Sequence, residues 1–257
     1  MKLKFPAEAF ALGILLFSAG MQDAFVYGVL VILAAVLSEW IRTSIDGHFP
    51  RWSVCASVLI ASGAVTASAF RWADFALDAG AGGWLLMLKG ALIGLLAAKS
   101  CLEAGWDADY GEICWESGLA WGFWILCAIL REFLASGEIF GNKIAEISFR
   151  SSAFGGWAFG FLAAGVVLGL VNVLAKRQYT GGDSLYVMIP AVCLVQPFQF
   201  PLKVEWLGMA LAAGITLVLF LSVRKVLAFS STGSAMRRLP IEMVSMGLIF
   251  LILGTYK

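Results

Sequence analysis

Charge is what this sequence has least of. Only 14% of its 257 residues are Asp, Glu, Lys or Arg, against 61% hydrophobic residues that include ten Trp and nineteen Phe. A soluble domain of this length needs a largely polar exterior, so the shortage points to lipid as the solvent. A net charge of +1 gives nucleic acid no electrostatic footing. Histidine occurs once, at His48 in a polar stretch, which rules out His-based metal sites and triads. The five cysteines (Cys55, Cys101, Cys114, Cys127, Cys193) are widely spaced with no CxxC pair. That argues against a disulfide framework and against a zinc site. No phosphate loop, acyl-transfer motif or kinase motif is present.

What is there is a string of apolar runs. Bounded by charge, Gly or Pro, they fall near 5–20, 24–41, 53–70, 84–104, 116–134, 153–175, 185–200, 205–224 and 239–255. A spanning helix needs roughly 20 apolar residues. The pattern therefore predicts an all-α polytopic membrane protein of about nine transmembrane helices, some short or broken. The first run follows Met1-Lys-Leu-Lys but has no small-x-small cleavage site, so it reads as a retained helix. It ends at the polar break "AGMQD", as a half-helix or a tilted span would. Leaving out Lys89, the loops on the N-terminal side hold eleven Lys and Arg, Lys99 among them, and the opposite side holds six. That bias predicts a cytoplasmic N-terminus and an external Lys257.

Three charged features stand out. Lys89 lies inside an apolar run, where an ammonium costs roughly 3 kcal/mol or more. It faces a partner or wet cavity, with Glu39, Glu116 and Glu242 as candidates, or it snorkels to an interface. Gly90 and Gly94 beside it allow close helix approach. Arg131-Glu132 closes the fifth run as a headgroup anchor, and Arg224-Lys225 closes the eighth on the opposite side. Asp107, Asp109 and Glu112 form an acidic loop that reads as solvated; oxygen ligands for a hard cation are the sharper alternative. The small residues Gly155-Gly156, Gly160, Ala163-Ala164 and Gly169 suit close packing within the chain or against partner helices.

The stretch "ESGLAWGFWILCAILREFLASGEIFG" (116–141) resembles a signature of the membrane subunits of Rnf and Nqr electron-transport complexes. The resemblance rests on Glu116, Gly118, Leu119, Arg131, Glu132, Ser136, Gly137, Phe140 and Gly141. Residues 151–177 resemble the last helix of the RnfE/NqrD-type subunit. Residues 184–198, 206–227 and 237–254 resemble the last three helices of its RnfA/NqrE-type sister. The resemblance implies an RnfE/NqrD-like six-helix part (1–178) and an RnfA/NqrE-like three-helix part (179–257), with inverted-repeat character.

In that family, cysteines on broken helices hold a [2Fe-2S] cluster. The corresponding positions here are Leu15, Gly90 and Gln196, with Cys193 one turn before Gln196. Leu, Gly and Gln cannot replace cluster thiolates. The resemblance thus implies a cluster-free, non-catalytic scaffold or ion-path subunit in a bacterial or archaeal cytoplasmic membrane. Its partners would be other membrane subunits, and flavins or iron–sulfur clusters would sit in them. A stand-alone transporter or channel on the same framework is the alternative. Lys89, Glu116, Arg131, Glu132, Arg224 and Glu242 are the candidate intramembrane functional residues.

Overall fold

The computed structural model describes residues 5–76, 83–104, 109–144, 150–175, 184–195, 205–227 and 236–254. Among them the chain forms nine α-helices, one on each expected apolar run. These are α1 (Ala7–Phe17), α2 (Met21–Ile45), α3 (Arg51–Ala76), α4 (Gly83–Ala104), α5 (Tyr110–Ser136), α6 (Trp157–Leu174), α7 (Leu185–Val195), α8 (Glu205–Leu227) and α9 (Leu239–Gly254). Helices α2 to α6 are long and apolar enough to cross a membrane, while α1, α7 and α9 are shorter apolar helices. The protein is an all-α chain of membrane type. Gln196, Lys203, Asp107 and Lys257 lie outside the described residues.

Helix α1 is the centre of the fold. With 11 residues it is about 16 Å long, roughly half a bilayer's hydrocarbon core. All of its residues but Leu16 are buried, as an all-round apolar helix must be. Helices α2, α4, α6 and α7 pack around it, and Trp124 of α5 reaches in to stack edge-on against Phe10. Helix α7 also touches α4, α9 covers α6, and α8 lies against α7 and α9.

Small residues set the closest approaches. A Cβ added at Gly94 would stand 2.6 Å from the Ser62 carbonyl oxygen, and one at Gly90 2.9 Å from Phe70 Cγ. That seam joins α4 to α3, as Gly90 and Gly94 suggested. The small face of α6 is spent within the chain. Gly160 meets the Leu15 carbonyl, Gly165 meets the Pro240 carbonyl, and Gly169 meets Met236.

Helix α5 ends at Gly137, whose φ of 74° supplies a left-handed cap. A two-residue turn with positive φ at Phe140 and Gly141 then closes a minimal hairpin, β1 (Glu138–Ile139) with β2 (Asn142–Lys143).

Two sequence expectations change. Helix α4 runs unbroken through Lys89 and Gly90, so no helix break lies at the second family cysteine position. Lys99 belongs to α4, not to a loop. The acidic stretch also gains a local role: Asp109 caps the start of α5 by accepting from Gly111 N at 2.9 Å, and Glu112 sits in the first turn.

Candidate functional site at the ends of a short buried helix

Three of the four charges in the 116–141 stretch, Glu116, Arg131 and Glu132, grip the polypeptide around α1. Glu116, 2% exposed, accepts from the backbone N–H of Phe5 at 3.2 Å. Arg131, 6% exposed, donates from Nη1 to Ser18 Oγ. Glu132 accepts from the N–H of Met21 at 2.7 Å. Partners in sequence order along both segments mean that α1 runs parallel to α5, with α5 fixing where α1 begins and ends.

The signs suit the helix ends. Carboxylates stand at the amino ends of α1 and α2, where orphan N–H groups and the positive dipole end lie, and a guanidinium stands at the carboxyl end of α1. Arg131 also ties in the start of α6. Its Nε donates to the Phe154 carbonyl at 3.0 Å, and its Nη2 to those of Gly155 (3.3 Å) and Gly156 (2.8 Å). The expected headgroup anchor is therefore corrected: Arg131 is an internal clamp, and Glu132 caps α2. Burial wins because the turn at 154–156 ahead of α6 presents three successive carbonyls that a forked donor can gather.

Helix α4 supplies a second hold. Lys99 Nζ lies 2.8 Å from Glu8 Oε2, 3.2 Å from Glu103 Oε1 and 3.9 Å from the centre of the Tyr186 ring. Glu8 and Tyr186 are each the second residue of their helix, so α1 and α7 both begin at this one cation. Ten residues earlier, Lys89 Nζ lies 5.4 Å from the centre of the Phe17 ring, at the other end of α1.

The three proposed partners of Lys89 are engaged elsewhere, which corrects that expectation. Glu39 holds Arg42 and accepts from the Cys101 thiol at 2.8 Å. Glu116 holds Phe5 N. Glu242 accepts from Ser184 Oγ and lies 3.9 Å from Arg224 Nε. Glu242 thus joins the starts of α7 and α9, with Arg224 at the end of α8 beside it, at the Lys99 end of the bundle.

Depth follows from α3, which carries exposed Trp52 (75%) and Trp72 (71%) near its two ends. Twenty residues of helix separate them by about 30 Å, the thickness of a hydrocarbon core. With these as interface anchors, the midplane passes Ser62 and its neighbour Gly94. Lys89 and Lys99 then lie about 7.5 Å to either side of Gly94. On that placement, both ends of α1 would fall between the two tryptophan levels.

The family's cluster does not fit here. Gly90 faces Phe70 and the Thr66 carbonyl, so a side chain of any kind there collides with α3. Leu15 is buried against α6. Among the described residues, no three His, Cys, Asp or Glu side chains stand together as metal ligands.

Sequence reasoning missed Glu8, Ser18 and Asp23. Glu8 carried a usable signal, since it is an acid inside an apolar run. Ser18 and Asp23 flank the break at 18–23 and read there as ordinary turn residues.

Compared with known proteins, the chain matches no family model, no curated protein and no solved structure. The site alone argues function.

Proposed function

We propose that this chain is a membrane transport protein whose path for a small polar solute or ion passes the two ends of α1. One observation carries the reading: a helix of about 16 Å, buried but for Leu16 and too short to cross a bilayer, has ionisable side chains at each end. Charged groups at such depth are costly unless they serve a wet path, and interrupted helices in transport folds present their ends to the solute in this way. Ala19, Gln22 and Asp23 at the α1–α2 break are exposed, as a water-filled entry requires.

The test is aqueous access. In a chain whose native cysteines are replaced by Ser, Ala19→Cys and Gln22→Cys should react with a membrane-impermeant maleimide in intact cells or oriented vesicles. Protection of both positions from either side would remove the reading.

A second reading keeps the Rnf/Nqr resemblance: a cluster-free scaffold or ion-path subunit of an electron-transport complex. What favours it is an uncovered face on α5. Gly118 and Gly122 meet nothing within 4 Å and lie in an apolar groove of about 420 Å³ with Cys114, Trp115 and Leu126. Purification in mild detergent followed by mass spectrometry of co-purifying chains separates the two: stoichiometric membrane partners favour the subunit, and a solitary chain the transporter.

A further inference from the structure

Helices α2 and α3 close on each other at one end of their contact and splay at the other. Ser38 Oγ of α2 donates to Ser62 Oγ, at the middle of α3, at 2.9 Å. Toward the start of α2 the inner faces meet through Tyr27 and Phe70, with ring centroids 5.0 Å apart. The outer faces part there around an open apolar groove of about 730 Å³. Phe25 and Leu30 of α2 line it with Val65, Ala69, Trp72 and Ala76 of α3. Small side chains on α3 leave the room, and Phe25 and Trp72, 48% and 71% exposed, wall it.

The length of the groove decides what fits it. From Ala76 to Val65 it follows α3 for about 16 Å, half of a hydrocarbon core. With Trp52 and Trp72 as interface anchors, its mouth stands at one headgroup layer and its inner end about 4.5 Å short of the Ser62 level. A partner's transmembrane helix needs a seam along the full ~30 Å of the core, and this seam closes where Ser38 meets Ser62. An acyl chain runs from the headgroups to the midplane and no further. The mouth also offers a donor. Arg71, next to Trp72, donates from Nη1 to Asp74 at 3.0 Å, and its side chain stays half exposed. Its other N–H groups remain for a phosphate oxygen.

We propose that this groove is a site for one membrane phospholipid, with an acyl chain along α2 and α3 from Trp72 to Val65 and the phosphate on Arg71. The chain fills a space that small side chains leave open, and the guanidinium holds the headgroup at the tryptophan level. The site lies on the outer face of the α2–α3 pair and does not depend on what passes the ends of α1.

The test uses the delipidated full-length chain in detergent, with native mass spectrometry after adding dioleoylphosphatidylethanolamine. A single phospholipid should bind, and Ala69→Phe, which fills the groove, should weaken it by about tenfold or more. Ser68→Phe, at an exposed position lining the same groove, repeats the block if Ala69→Phe does not fold. Gly122→Phe fills the α5 groove instead and should leave the binding unchanged. Dioleoylglycerol has the chains without the phosphate and should bind the parent about tenfold more weakly; Arg71→Gln should erase that difference. Equal binding of the two lipids to the parent, or full phospholipid binding by the filled variants, overturns the site. A membrane protein that co-purifies with the parent and is lost from Ala69→Phe also overturns it, by placing a partner chain in the groove.

Discussion

Glu132 on α5 accepts the backbone N–H of Met21, 111 residues earlier in the chain, at 2.7 Å. That bond starts α2, and with Glu116 on Phe5 N it fixes both limits of the segment that contains α1. A half-helix inside a membrane has orphan N–H and carbonyl groups that lipid cannot satisfy. The charged residues of α5 bond the groups that flank α1: the Phe5 N–H, the Ser18 hydroxyl and the Met21 N–H, the last an orphan donor of α2.

The first prediction concerns this bond. Glu132→Ala leaves the Met21 N–H without its acceptor and should lower stability by about 1–3 kcal/mol. Glu132→Gln keeps a carbonyl acceptor and should recover part of the loss. Thermal unfolding of the purified variants in detergent reads both; equal losses for Ala and Gln would show that charge, not the bond, is what counts.

Arg131 gathers four acceptors from two separate segments. Lysine keeps the charge but not the fork, so Arg131→Lys should still destabilise the chain, by about 2–3 kcal/mol. A lysine variant as stable as the parent, in the same unfolding assay, would mean that Arg131 acts as a point charge.

Lys99 and Lys89 are ten residues apart on one helix and should behave oppositely. Lys99→Met removes the cation that pairs with the buried Glu8 carboxylate, at a cost of about 3–5 kcal/mol, and adding Glu8→Gln should restore part of it. Lys89→Met removes a half-buried ammonium with no ion-pair partner and should be neutral or stabilising. The comparison of three variants in one denaturation series decides it. A loss for Lys89→Met as large as that for Lys99→Met would contradict the assignment.

Glycines give a control pair. Gly94→Ala forces α3 and α4 apart, because its Cβ would sit 2.6 Å from the Ser62 carbonyl and 2.7 Å from Thr66 Oγ1. A cost of about 1–3 kcal/mol is expected. Gly118→Ala and Gly122→Ala meet open space and should leave the isolated chain's stability unchanged within about 0.5 kcal/mol. If those two variants instead lose a co-purifying chain, the uncovered α5 face is an interface.

Orientation is tested separately. The bias of positive loops predicts a cytoplasmic N-terminus and an external Lys257. A reporter fused after Lys257 that is active only in the cytoplasm would refute either the number of crossings or their direction.

The sequence by itself determined the solvent and the helices. Shortage of charge and the length of the apolar runs are enough to require lipid, because backbone groups inside a bilayer must pair within their own segment, and nine runs became nine described helices. The close approach at Gly90 and Gly94 and the polar break at "AGMQD" were equally legible, since each is a local rule about backbone approach or turn geometry. Which charges meet was not legible. Lys89 lies over the Phe17 ring while the three glutamates at span ends are engaged elsewhere, and Lys99 left its expected loop to hold Glu8, 91 residues away. Arg131 became a clamp in place of an anchor. Periodicity shows that a side chain is on a helix, but the partner it meets depends on helix rotation and register. Those were decided only when α1, too short to cross the membrane, settled between α4 and α5, which had charges placed to satisfy its ends.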